Sequence, residues 1–323
     1  MEDKLTKVML EIAIERAFKE IELKSKRGIR NLVDLGAHFA KGRFQKDFYN
    51  IAQIMLENEN SPYYKLVFNI VQNVDHNILK TFGINLGLNS WTYGAKKIRQ
   101  YEEKKGYNVP WTIIFDFTNP KNDILDYNKI ENIINEGKSI GLYSYIFFLD
   151  NNENRFKGLI EILKSNKDCA FIVFVNPIIL AEEYILELKN IGNILLSINI
   201  RDNNPFFDSK ILLLKKNKLL FGVHMIYDNN DVKSILNNSW AMDVVNLDCA
   251  FAFLIPSLEC SEEIVVSINK YIKDAKTNQK YPVFLIDFYK DITHVNKTIS
   301  PESYLMEFLP DETFLYTSLL QLL

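Results

Sequence analysis

Residues 109–126 read VPWTIIFDFTNPKNDILD, an apolar run closed by a carboxylate, then a short polar turn leading into a helix. This is the pattern of a first strand in an α/β domain and the loop after it, which in such folds is where the chemistry sits. The run at 111–117 is followed by six more, at 141–150, 169–176, 193–200, 219–228, 244–256 and 281–289. Segments between them, such as DYNKIENIINEGKSIG and FKGLIEILKSNKD, are amphipathic at helical spacing. Continuous apolar strands alternating with helices are the signature of a parallel sheet covered on both faces. They predict a barrel, a part-barrel or a doubly wound sheet.

Upstream of residue 107 the chain reads as helices. In KLTKVMLEIAIERAFKEIEL, Leu5, Val8, Met9, Ile12, Phe18 and Ile21 mark one apolar face, with charges opposite. Further helices are expected at 28–40, at 43–57 ending before Ser61-Pro62, and at 62–72. Asp75 is expected to cap HNILKTFGINLG, GINLGLNSWTYG to bend, and a last helix, WTYGAKKIRQYEEKK, to stop at Gly106. The expected division is an α-helical N-terminal extension, 1–106, and a barrel domain, 107–323.

With 323 residues, 47% of them hydrophobic and 24% charged, the chain is long enough to bury a large core. Lysine and arginine number 38 against 41 acids, a net charge of −3, so there is no nucleic-acid signal and no basic excess that advertises binding to an anionic membrane. Charges recur through the first twenty residues, unlike the core of a signal peptide, and no run reaches the length of a membrane span. A cytoplasmic protein is expected. The cysteines, Cys169, Cys249 and Cys260, are too few and too widely spaced for a disulfide framework, and no CxxC is present. Cys169 and Cys249 each follow an aspartate and open an apolar run, as small buried hydrophobes do; Cys260 lies in the polar SLECSEE.

From Asp75 to Thr118 the chain runs DHNILKTFGINLGLNSWTYGAKKIRQYEEKKGYNVPWTIIFDFT. In order there follow KIENIINEGKSIGLYSYIFF (129–148), NKDCAFIVFVN (166–176), SINI (197–200), LLFGVHMIYD (219–228) and YPVFLIDFYKD (281–291). This layout resembles a group of radical S-adenosylmethionine (radical SAM) proteins of anaerobic bacteria. The resemblance spans most of the chain after about residue 60. It implies an α/β fold, a partial (β/α)6 TIM-like barrel of the radical SAM type with an α-helical N-terminal extension.

The resemblance also implies chemical motifs, and here the sequence departs from the family. There, a strand-one DPT is followed by a CxxxCxxC loop that holds a [4Fe–4S] cluster. Here Asp116-Phe117-Thr118 is followed by NPKNDI, with no cysteine, and such clusters are held by thiolates. The family's GGEP-like turn corresponds to Leu149-Asp150-Asn151-Asn152, its asparagine-glycine turn to Asn176-Pro177, and its strand-four serine and acid to Ser197 and Asn199. Cysteines carried by some relatives after the DFxxD element have no counterpart in 287–323. The expectation is a degenerate member, a pseudoenzyme without an iron–sulfur cluster. It would act as a binding, regulatory or accessory protein beside an active radical SAM relative or another protein. No cofactor is expected; the alternative is a protein that binds S-adenosylmethionine without radical cleavage.

The candidate pocket comprises Asp116, Thr118, Asp150, Asn176, Ser197, Asn199, His224, Asp228 and Asp287. A second alternative, a cluster-independent enzyme, would use these carboxylates with Asp202 at the barrel mouth to hold a hard cation or act as base, with His224 beside them. Against it, aspartates at strand ends commonly cap the next turn. No GxSxG, HExxH, P-loop or GxGxxG occurs. An open cavity lined by Asp116, Ser197, Asn199 and Asp287 favours a ligand, and one filled by aromatic side chains favours a scaffold.

Overall fold

The structure, a computed structural model, describes residues 2–23, 25–40, 42–106, 108–118, 126–201, 205–300 and 306–308, with 2–6 and 306–308 described by backbone alone. The N-terminal part is helical: α1 (Glu2–Glu22), α2 (Lys26–Phe39), α3 (Arg43–Glu57), α4 (Pro62–Asn73), α5 (His76–Ile84), a π-helix (Asn85–Gly94) and α6 (Ala95–Lys105). Short side chains set the starts by accepting amides that the helix leaves unpaired. Ser25 accepts from Gly28, Ser61 from Tyr63, and Asp75 from Asn77 and Ile78. Gly106, at φ +79, closes α6.

Two expectations are corrected here. α1 buries Leu10, Ala17, Phe18 and Ile21 and leaves Val8, Met9 and Ile12 exposed, so it carries two apolar faces and the expected stripe mixed them. The expected bend is a π-helix running directly into α6. Its asparagines, read as turn formers, are anchors. Asn85 Nδ2 donates to the carbonyls of Lys167 and Cys169, each at 2.8 Å, and Asn89 Nδ2 to that of Asp168 at 2.9 Å.

The remainder alternates strand and helix: β1 (Thr112–Asp116), α7 (Tyr127–Ile140), β2 (Ser144–Phe148), α8 (Glu153–Ser165), β3 (Ala170–Val175), α9 (Glu182–Ile191), β4 (Ile194–Asn199), α10 (Phe207–Lys216) and β5 (Phe221–Tyr227). There follow α11 (Val232–Leu236), α12 (Ser239–Asn246), β6 (Phe251–Pro256), α13 (Glu262–Thr277), β7 (Phe284–Asp287), α14 (Phe288–Ile299) and β8 (Met306–Phe308). Every strand pairs in parallel, in the order β7-β6-β5-β4-β3-β2-β1-β8.

From β1 to β7 the spatial order follows the chain order without reversal. Right-handed crossovers then place the connecting helices on one face, and a sheet wound this way curls around the other. The fold is α/β, a partial TIM-like (β/α) barrel, and not a doubly wound sheet with a switch point. Its series has seven strands, one more than the resemblance implies, and β8 flanks β1 so that β7 and β8 are the edges.

Alternate residues of each strand face opposite sides. On the helical side Phe115, Tyr145, Phe147 and Phe171 stack ring on ring, and the Tyr145 hydroxyl donates to the carbonyl of Ile134 in α7 at 3.1 Å. Gly137 makes room for that hydroxyl, since a Cβ there would lie 2.5 Å from it. On the concave side the π-helix sits under the strands' N-terminal ends, where Ser90 and Ser144 share a hydroxyl–hydroxyl bond. α14 leaves the end of β7 and reaches the residues before β1, where Trp111 Nε1 donates to the Ile292 carbonyl and Asn296 Oδ1 accepts from the Trp111 amide, both at 3.1 Å.

Glu102 locks this junction. Buried at the end of α6, it accepts from the Val109 amide at 2.8 Å and from the Ser300 hydroxyl at 2.6 Å, and burial pushes its carboxyl above the usual range. Val74, Ile78, Phe82, Ala95 and Ile98 belong to the same core as the strands, whereas Phe18, Ile21, Ile29, Leu56, Tyr64 and Val71 form a separate cluster among α1–α4. No described helix is long and apolar enough to cross a membrane.

Candidate functional site at the C-terminal rim

The strand ends carry the polar residues that the sequence singles out, and five of them make the same local turn. Asp116 Oδ1 accepts from the Thr118 amide at 2.8 Å and its hydroxyl at 2.6 Å. Asp150 accepts from the Asn152 amide, Asn176 from Ile178, Asn199 from Arg201 and Asp228 from Asn230, at 3.2, 3.1, 2.9 and 2.7 Å. Each side chain satisfies the amide two residues on, which is why a short Asx residue ends each of these five consecutive strands. Residues 119–125 and Asp202 lie outside the described residues.

Two arginines neutralise acids of this rim. Arg155 reaches Asp150 at 3.4 Å and lies over the Phe117 ring, 5.2 Å from its centroid. Arg201 pairs with Asp228 and with Asp231, the latter at 3.1 Å, and donates to the Ile226 carbonyl at 2.8 Å. The Arg201 bond is the main cause that holds the Asp228 carboxyl below its usual range. Sequence reasoning missed both arginines, since nothing in the local spacing marks them as partners.

Asp287 is placed apart from the others. It caps α14 through the Lys290 amide at 3.2 Å, and its Oδ2 accepts from Asn269 of α13 at 2.9 Å. Its neighbour Ile286 pairs with Phe253 in the concave row, so Asp287 is turned to the helical side. It is not brought together with Asp116, Ser197 and Asn199.

Ser197 and His224 are brought together, inside the concave core. Ser197 Oγ lies 3.1 Å from His224 Nδ1, and both residues are buried. Desolvation drives the imidazole down to about 3, so it is neutral near pH 7 and a poor proton acceptor there.

Around this pair the concave side is filled by rings. Phe148 and Phe174 stack at 4.4 Å between centroids, Phe288 sets its edge against both at 5.2 and 5.3 Å, and Phe253 and His224 each meet Phe174 at 5.1 Å. The strand register dictates this: Phe148 pairs with Phe174, Phe174 with Ser197, and His224 with Phe253. Alternate-position phenylalanines were a readable signal; the helix that completes the cluster was not.

The thiols are scattered. Cys169 and Cys249 are buried just before β3 and β6, at the N-terminal edge, while Cys260 follows β6 at the opposite edge. Burial raises all three thiols, Cys249 to about 12. Among the described residues no group of three or more histidine, cysteine or acidic side chains converges as a metal site. Large apolar side chains are exposed on three rim loops, at Ile178, Phe206 and Leu258.

No protein-family model matches the sequence, and no curated protein matches it. Among solved structures the chain is similar to SuiB of Streptococcus suis bound to S-adenosylmethionine, at 11% identity and a TM-score of 0.43, over 60% of this chain and 51% of that one. A second crystal structure of SuiB gives 11% identity and 0.45, over 60% and 53%. The match thus spans about half the length of those chains.

Proposed function

We propose that this chain is a radical-SAM-like partial barrel without an iron–sulfur cluster, acting as a binding, regulatory or accessory protein rather than as a catalyst. The observation that carries the reading is the ring cluster of Phe148, Phe174, Phe253 and Phe288 on the concave side, which reaches the C-terminal ends of β2, β3 and β7, the end at which a barrel enzyme holds its substrate. The rim acids support it, because Asp116, Asp150 and Asp228 are engaged as turn caps or ion pairs and Asp287 faces away. His224, its basicity lowered by burial, is a poor general base.

The residues present do not fit a three-thiolate cluster. The segment between β1 and α7 has no cysteine, and the thiols elsewhere lie at opposite ends of the sheet. Exposed Ile178, Phe206 and Leu258 suit a surface that meets another protein, an active radical SAM relative among the partners in view. Anaerobic reconstitution with iron and sulfide tests the reading. The expected result is no stoichiometric iron, no cluster absorption and no EPR signal on reduction; a full [4Fe–4S] complement would overturn it. Calorimetric titration with S-adenosylmethionine is expected to show no saturable heat. A saturable one-site isotherm would replace this reading with retained cofactor binding without cleavage.

A further inference from the structure

A pocket of about 280 Å³, half open to solvent, lies in the helical extension, between α1, α2 and α3 on one side and α5 and the π-helix on the other. Leu10, Ile14, Leu35 and Leu88 are among its apolar walls, and no charged side chain among the described residues lines it. Gly87, half-buried in the π-helix, keeps one wall low: a Cβ built there meets nothing within 4 Å, although glycine is unfavourable inside a helical segment.

Polar groups gather on one turn of α3. Gln45, 6% exposed, donates through Nε2 to the Gly87 carbonyl, and its Oε1 has no hydrogen-bond partner. A buried acceptor left unmatched costs free energy, so this oxygen calls for a donor. Tyr49, one turn further on, lays its ring against Gly36 and also lines the cavity. Burial raises its hydroxyl above the usual range, which keeps the proton available for donation.

We propose that this cavity binds an uncharged aliphatic molecule bearing a hydroxyl group, its chain among the leucines and its hydroxyl between Gln45 Oε1 and Tyr49. A hydroxyl both donates and accepts, matching the orphaned amide oxygen and the phenol together. A carboxylate is disfavoured, because no cation lines the cavity to compensate its desolvation. Since roughly 150 Å³ takes one benzene ring, this pocket has room for about ten to twelve non-hydrogen atoms, which would displace water from its apolar walls.

The full chain titrated with 1-nonanol is expected to give one saturable site and a raised Tm, while nonanoate binds at least about tenfold more weakly. Gly87→Leu, which adds a side chain at the pocket wall, is expected to abolish nonanol binding. Tyr49→Phe and Gln45→Leu are each expected to weaken it by about fivefold. No saturable binding to the wild-type chain would overturn the proposal, as would undiminished binding to a folded Gly87→Leu variant. Should Gly87→Leu not fold, unchanged affinity in both Tyr49→Phe and Gln45→Leu would overturn it equally.

Discussion

Phe288 meets Phe174 edge to face, with ring centroids 5.3 Å apart and planes at 89°, although one opens the last described helix and the other lies in the third strand. The contact brings α14 onto the concave side of the sheet. Phe288→Ala removes the ring that bridges Phe148 and Phe174, and a buried phenylalanine deletion costs about 3–5 kcal/mol. Urea unfolding is expected to show that loss, with Phe288→Leu costing clearly less.

His224 links stability to acid. Its folded value of about 3 lies below the 6.5 of an ordinary histidine, so the unfolded chain takes up a proton first as pH falls. Its contribution is intact above pH 6.5 and is lost towards pH 3. Between pH 7 and pH 5 this group alone is expected to remove about 2 kcal/mol, at about 1.4 kcal/mol per pH unit. His224→Gln is expected to flatten that part of the pH–stability curve, whatever its absolute stability.

Glu102 has the opposite sense. Desolvation raises its carboxyl, so the folded state holds the proton more tightly and stability falls as pH rises above about 4.5. Glu102→Gln keeps an acceptor for Val109 and Ser300 without the buried charge, and is expected to be at least as stable as wild type at pH 7. Glu102→Ala strands the Val109 amide and is expected to cost about 2–3 kcal/mol in the same denaturant assay.

The strand-end acids separate by their partners. Asp287→Ala removes the cap of α14 and the bond from Asn269, an expected loss of about 1–2 kcal/mol. Among the described residues Asp116→Ala breaks only the turn to an exposed threonine, and it is expected to stay within about 0.5 kcal/mol. Millimolar Mg²⁺ is expected to leave Tm unchanged in wild type and in both variants; a cation-induced rise lost in Asp116→Ala would revive a metal-binding mouth.

The division at residue 106 crosses a shared core. Because Val74, Ile78, Phe82, Ala95 and Ile98 pack with the strands, a fragment spanning 107–323 is expected to bind a hydrophobic dye and lack near-UV circular dichroism. A fragment with a native-like near-UV spectrum would show that the barrel stands alone.

Each of the seven apolar runs contains an observed strand, because continuous burial writes itself into consecutive residues. The bounds of α3 and the capping role of Asp75 are legible in the sequence, since both signals are local. What stayed hidden depends on distant surfaces. The apolar side of α1 that faces inward is chosen by its neighbours, and the π-helical path of 85–94 by carbonyls of the loop before β3. The rim aspartates and asparagines were legible as residues. Their engagement by their own backbone was legible only as one of two readings, and nothing in DFYKDITHVNKTI says that this helix crosses the concave face.

The position of α14 also has a meaning during synthesis. Strands β1 to β6 all precede α14 in the chain, so a partly made chain holds Phe148, Phe174 and Phe253 without the ring supplied by Phe288. Until α14 emerges from the ribosome these rings lack their cover, a target for holdase chaperones and a point at which translational stalling would favour aggregation.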